Sequence, residues 1–223
     1  MERHFDEELI ELKQKLLHMA DTAQRMIQLA VQALVQRKET FTQEVFTLEV
    51  EVNHLEIEIE EEILRLLALR QPAARDLRLL TAMIKINNDV ERMADQAVNI
   101  AEIAVRLLKE PPLKPLIDIP RMADIAQHMI KDSIHAFVHH DPQLAQQVCV
   151  ADDEVDLIND QIFRELLTYM MEDPRSITRA VDLILVSRNL ERVADHATNI
   201  GEEVVFIEEG KNIKHHLDLG PAI

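Results

Sequence analysis

Tryptophan is absent from this 223-residue chain, tyrosine and cysteine occur once each, and glycine occurs three times. So few glycines and aromatics leave little material for tight turns or strands, while Leu, Ala, Glu, Ile and Gln abound, so helix formers dominate. The expected fold class is all-α. A lone cysteine, Cys149, excludes an intrachain disulfide and has no Cys/His zinc pattern around it. Nowhere do about eighteen apolar residues run together, and the N-terminal MERHFDEELIELK is charged, without the apolar stretch of a signal peptide. A soluble, cytoplasmic protein with no direct membrane insertion is expected. Positive charge is also in deficit, 24 Lys and Arg against 41 Asp and Glu, a formal charge of −17. Such a surface repels phosphate backbones and attracts cations, which argues against nucleic acid as a partner.

What the chain does contain is a repeat. Residues 91–102 read ERMADQAVNIAE and residues 191–202, one hundred positions later, read ERVADHATNIGE, with eight of the twelve identical. At about 3.6 residues per turn, offsets 0, 4, 8 and 11 share one helical stripe. One copy therefore aligns Glu91, Asp95, Asn99 and Glu102, and the other Glu191, Asp195, Asn199 and Glu202. Beside each stripe run small side chains, Ala94, Ala97 and Ala101 or Ala194, Ala197 and Gly201, which let a neighbouring helix approach closely.

Helical periodicity runs from about His4 to Lys38, then from a cap at Thr40 to the stop at Pro72, then from Ala73–Asp76 to Leu108. The EPPLKP segment, Glu110 to Pro115, cannot continue a helix and marks a boundary. Beyond it the order of features returns at an offset of 103 residues, with Met19, Ala20, Asp21 and Ala23 repeated as Met122, Ala123, Asp124 and Ala126. Pro142 and Pro174 bracket the fifth helix and Gly210 ends the sixth. A period near 100 residues reads as a duplicated three-helix bundle, residues 1–110 and 116–210, followed by a tail, 211–223, frayed from Asn212.

The middle helix of each bundle carries a second acidic stripe. Glu49, Asn53 and Glu56 map by the same offset onto Asp152, Asp156 and Asn159. Facing stripes on adjacent helices would gather Glu49, Asn53, Glu91 and Asp95 in one half, and Asp152, Asp156, Glu191 and Asp195 in the other. Clustered carboxylates repel unless protonated, paired with Arg, or holding a cation, and oxygen-only ligand sets suit hard ions such as Mg²⁺, Mn²⁺, Ca²⁺ or iron. Arg92 and Arg192 adjoin the stripes as supporting partners or surface ion pairs. One isolated acidic stripe reads as a solvated face. Four at matching positions favour metal binding, with a duplicated helix contact as the competing reading.

Glu51 and His54 form one ExxH pair, but a di-iron bundle needs two, and position 157 is Leu. His139, His140, His215 and His216 read as exposed, Cys149 as a small buried residue, and His196 as outside the shared design because its counterpart is Gln96. No nucleophile–base pair or phosphate loop occurs, so no enzymatic activity is expected.

The segments RQPAARDLR (Arg70 to Arg78), VERMADQAVNIAE, LERVADHATNIGE and EPPLKP resemble those of the PhoU family of phosphate-transport regulators, over nearly the whole chain. The resemblance implies two similar three-helix bundles and a negative regulatory role in phosphate-starvation signalling. Its implied partners are a phosphate ABC transporter and a phosphate-sensing histidine kinase, with a homodimer left open. It also implies metal ions held through E(D)xxxD motifs, with iron, manganese, magnesium and zinc all open. That motif matches at Glu91 with Asp95, Asp152 with Asp156, and Glu191 with Asp195, and departs at Glu49, where Asn53 stands. A carboxylate-bridged redox enzyme and a ligand-free helical scaffold are the alternative readings.

Overall fold

The computed structural model describes residues 2–211 and 213. Six helices follow one another: α1 (Glu2–Gln36), α2 (Thr40–Arg70), α3 (Ala74–Leu107), α4 (Asp118–His139), α5 (Pro142–Glu172) and α6 (Ile177–Glu209). A single 3-10 turn, Pro174–Ser176, leads into α6. The expectations for the tail from Asn212 and for His215 and His216 lie outside the described residues.

The helix ends follow from local chemistry. Asp141 caps α5, its carboxylate accepting from the N–H groups of Gln143 and Leu144 at 3.0 Å, with Pro142 in the first turn where no N–H is required. Gln71 in the left-handed region ends α2 just before Pro72, and Gly210 at φ 70° ends α6 with its N–H on the Phe206 carbonyl at 3.0 Å. Thr40 is not the cap expected of it. It is the first helical residue of α2, behind Glu39, and Thr42 instead bonds the Glu39 carbonyl at 2.8 Å.

Each bundle closes over an apolar stripe. Leu12, Leu16, Met19, Met26 and Ile27 on α1 are essentially inaccessible, and each such side chain contributes about 1.5–3 kcal/mol when removed from water. Within the bundles, α2 packs on α1 and α3, and α5 on α4 and α6. The two bundles join through α1 against α4 and, more extensively, α3 against α6.

Helices α3 and α6 run antiparallel, so ion pairs line their seam from end to end. Arg75 reaches Glu208 at 2.8 Å, Lys85 reaches the buried Glu203 at 3.0 Å, and Arg106 reaches Asp182 at 2.8 Å. The proline linker is held by charged side chains. Arg37 donates to the carbonyls of Leu107, Leu108 and Glu110, Arg179 donates to that of Pro111, and Lys114 pairs with Glu165.

Candidate metal-binding grooves

In the first half the groove lies between α2 and α3. Asn87 on α3 is buried and donates its amide to the Glu56 carbonyl on α2 at 2.9 Å, while its side-chain oxygen has no hydrogen-bond partner. That contact sets a register bringing Glu56 close enough to act on Glu91. The Glu91 carboxyl is held above its ordinary range by burial and then by Asp95, with Arg92 opposing and Glu56 adding to the rise. Arg92 spans the stripe, 3.5 Å from Glu91 and 3.4 Å from Asp95. Glu49 is half-buried, whereas Asn53, Asn99 and Glu102 are exposed.

The second half is more acidic. Asp152 is half-buried and one of its carboxylate oxygens, Oδ1, is inaccessible and has no hydrogen-bond partner. Burial, then Asp195, Asp156, Asp153 and Glu191 push the Asp152 carboxyl up to about 7. Glu191 is raised by burial, then by Asp156 and Asp195, with a hydrogen bond from Asn159 opposing. Asp156 is raised by burial and then by Asp195. Burial raises Asp195 as well, against the pull of His196 and Arg192. The four carboxylates grouped from spacing therefore sense one another across α5 and α6. Beside them opens a shallow groove of about 500 Å³ lined by Asp153, Asp156, Leu157, Asp160 and Glu191.

The stripe divides at its far end. Asn199 turns away from α5 and donates to Asp89 on α3 at 3.1 Å, because at its angle the helix already faces the bundle seam. His196 joins it there, its Nδ1 2.9 Å from the same Asp89 oxygen. Although His196 has no counterpart in the other copy, it belongs to this seam. The exchange of Gln96 for His196 is matched by the exchange of Asn189 for Asp89 between the two copies, and His196 and Asp89 are the two that meet across the seam. Glu202 stays on the α5 side, close enough to Cys149 to raise its thiol.

Among the described residues no group of three or more His, Cys, Asp or Glu side chains is arranged to hold a metal ion. The donor chemistry nevertheless fits a hard cation: oxygen ligands only, mutually repelling, one of them with an orphaned buried atom. The carboxylates of α5 and α6 act on one another without converging on a common point. The Glu51–His54 pair is divided between other partners, Glu51 meeting His18 at 2.9 Å and His54 meeting Glu58 at 3.0 Å. His139 and His140 are exposed as expected, His139 stacking on His135 and His140 pairing with Glu208 at 2.6 Å. Cys149 is not fully buried. Its Sγ donates to the Ala145 carbonyl at 3.4 Å, and burial, then Glu202 and Asp152, push the thiol up to about 11. Among the described residues no helix is long and apolar enough to cross a membrane.

Fold and grooves together define an internally duplicated, all-α protein of six long helices with an acidic groove in each half. The chain belongs to the PhoU family: the PhoU domain model matches it twice, at residues 16–104 and 119–204. The phosphate-specific transport system accessory protein PhoU homolog of Aquifex aeolicus is 43% identical over 208 residues, 93% of this chain and 94% of that one. The crystal structure of PhoU from Pseudomonas aeruginosa superposes with a TM-score of 0.90 at 36% identity, covering 93% of this chain and all of that one. That of the phosphate transport system regulatory protein PhoU from Streptococcus pneumoniae gives 0.87 at 28% identity, covering 93% and 98%.

Proposed function

We propose that this protein is a cytoplasmic, non-enzymatic regulator of phosphate uptake that binds metal ions in its carboxylate grooves and acts on membrane partners. The names of its relatives support the phosphate-transport role. The transporter itself and a phosphate-sensing histidine kinase are the proposed partners, with negative control of the starvation response as the outcome. The division into units 1–110 and 116–210, joined at EPPLKP, belongs to the same reading.

The observation that carries the metal half is the Asp152 oxygen, buried and unpartnered among Asp156, Glu191 and Asp195. A bound cation would supply the missing partner and neutralise the repulsion. Iron, manganese, magnesium and zinc are the candidates, and Asp152, Asp156, Glu191 and Asp195 are the residues to hold one. The test is elemental analysis of protein purified without chelator, with thermal melts in Mg²⁺, Mn²⁺, iron and Zn²⁺. Bound metal that falls when Glu191→Ala and Asp195→Ala are combined supports the reading; no metal and no shift in any melt overturns it.

A ligand-free scaffold is the second reading, favoured by the lack of a preformed cluster among the described residues. It predicts that neutralising the grooves stabilises the protein in every buffer, whereas metal binding reverses that sign when the ion is present.

A further inference from the structure

The outward face of α2 carries a feature that the grooves do not use. Val50, Ile57 and Leu64 are 70, 53 and 54% exposed, and their spacing of seven sets them on one ridge within about 40° of arc. Buried Val45, Val52, Ile59, Ile63 and Leu66 already fill the face toward the bundle, so the ridge has no role in this fold. Glutamates flank it on both sides, Glu49, Glu56 and Glu60 along one edge and Glu51 and Glu58 along the other. Over its whole length α2 holds eight Glu and two Arg.

Two such helices cannot pair along this face without setting glutamate rows against each other, which disfavours a second copy as the occupant. The complementary surface is an apolar seam flanked by Lys and Arg. At the counterpart positions of α5, offset by 103 residues, stand Asp153, Asp160 and Leu167, so two of the three apolar side chains are replaced by carboxylates. The feature therefore belongs to the first bundle.

We propose that the outward face of α2 docks a basic amphipathic helix of a partner protein, its apolar side chains on Val50, Ile57 and Leu64 and its cations against the flanking glutamates. This names a surface and a partner chemistry for the regulatory role proposed above, and rests on that role. Of this surface only the Glu49 and Glu56 edge borders the first groove, and the apolar ridge lies outside both grooves.

The test titrates the full-length protein, in chelator, with a synthetic helical peptide of about three heptads whose Leu seam is flanked by Lys. A peptide with the same seam flanked by Glu is the control. The Lys peptide binds with an affinity that falls as salt rises, and the Glu peptide does not bind. Combining Ile57→Ser with Leu64→Ser, both solvent-facing and checked by circular dichroism, weakens binding about tenfold or more while leaving every charge in place. Leu157→Ser on α5 binds like the parent.

Equal binding to the Ile57→Ser, Leu64→Ser variant would reduce the effect to general attraction by an acidic protein and overturn the proposal. So would self-association in sedimentation that the same two substitutions abolish, because the occupant would then be a second copy. Since the readout contains no metal, its failure and the failure of the metal titration are told apart.

Discussion

The imidazole Nδ1 of His196 lies 2.9 Å from Oδ1 of Asp89, joining helices whose residues are 107 positions apart. Asn199 donates to the same oxygen at 3.1 Å, so one carboxylate of the first bundle gathers two side chains from the repeat motif of the second. At the counterpart positions stand Asn189 and Gln96, both neutral, and the Gln96 side-chain oxygen has no hydrogen-bond partner. The seam is thus built from a duplicated helix whose two copies have diverged into a charged and a neutral version.

Asp89→Ala should lower stability by about 1–3 kcal/mol, because His196 and Asn199 lose their acceptor in a largely enclosed seam. Denaturant melts measure this. Combining Asp89→Asn with His196→Gln, which copies the neutral version, should cost less than the sum of the single changes.

The contribution of Asp152 to the stability of the metal-free protein should fall as pH rises from about 4 to about 7. The folded state holds the Asp152 proton up to about 7, against an ordinary value of 3.8, so within that window the unfolded chain releases its proton first. Above the window the Asp152 contribution is lost in full. Thermal midpoints against pH in chelator test the sign, and Asp152→Asn should flatten the slope.

Metal should reverse that trend, since a cation competes with the proton for the same oxygens. At a free concentration of about 100 times Kd, a single site adds about 2.7 kcal/mol. Asp152→Ala with Asp156→Ala should remove more of this gain than Glu49→Ala with Asn53→Ala, because the second groove has four mutually repelling carboxylates. Calorimetric melts with and without metal separate the two.

Gly201→Ala should destabilise the second bundle by about 1–3 kcal/mol. A Cβ at Gly201 would lie 2.9 Å from the Ala145 backbone oxygen, and backbone cannot rotate aside as a side chain can. Fluorine or proton NMR near Cys149, whose Sγ is 3.5 Å from the same point, would show the α5–α6 contact opening.

Arg37→Ala should loosen the linker while sparing both bundle cores. The Arg37 guanidinium bonds the last carbonyls of α3 and that of Glu110, and their loss should cost about 1–3 kcal/mol. Hydrogen exchange should rise at the end of α3 and along 108–116 before it rises at buried Leu80 or Ile86.

Much of this architecture follows from the linear chain. Apolar spacing of three and four, scarce glycine, and prolines at 72, 111, 112, 115, 142 and 174 determine six helices and their breaks, because these act within a few residues. Internal repetition determines two like bundles, and the Glu/Asp spacing determines which carboxylates can share a groove. Packing alone decided that Glu56 is brought near Glu91, that Asn199 leaves its stripe for Asp89, and that α3 and α6 form a charged seam. Those outcomes depend on the rotation and register of one helix against another across 30 to 110 residues of sequence. A single helix has no preference for which of its polar neighbours at 0° and 80° faces groove or seam, and that choice is made only when the second bundle docks.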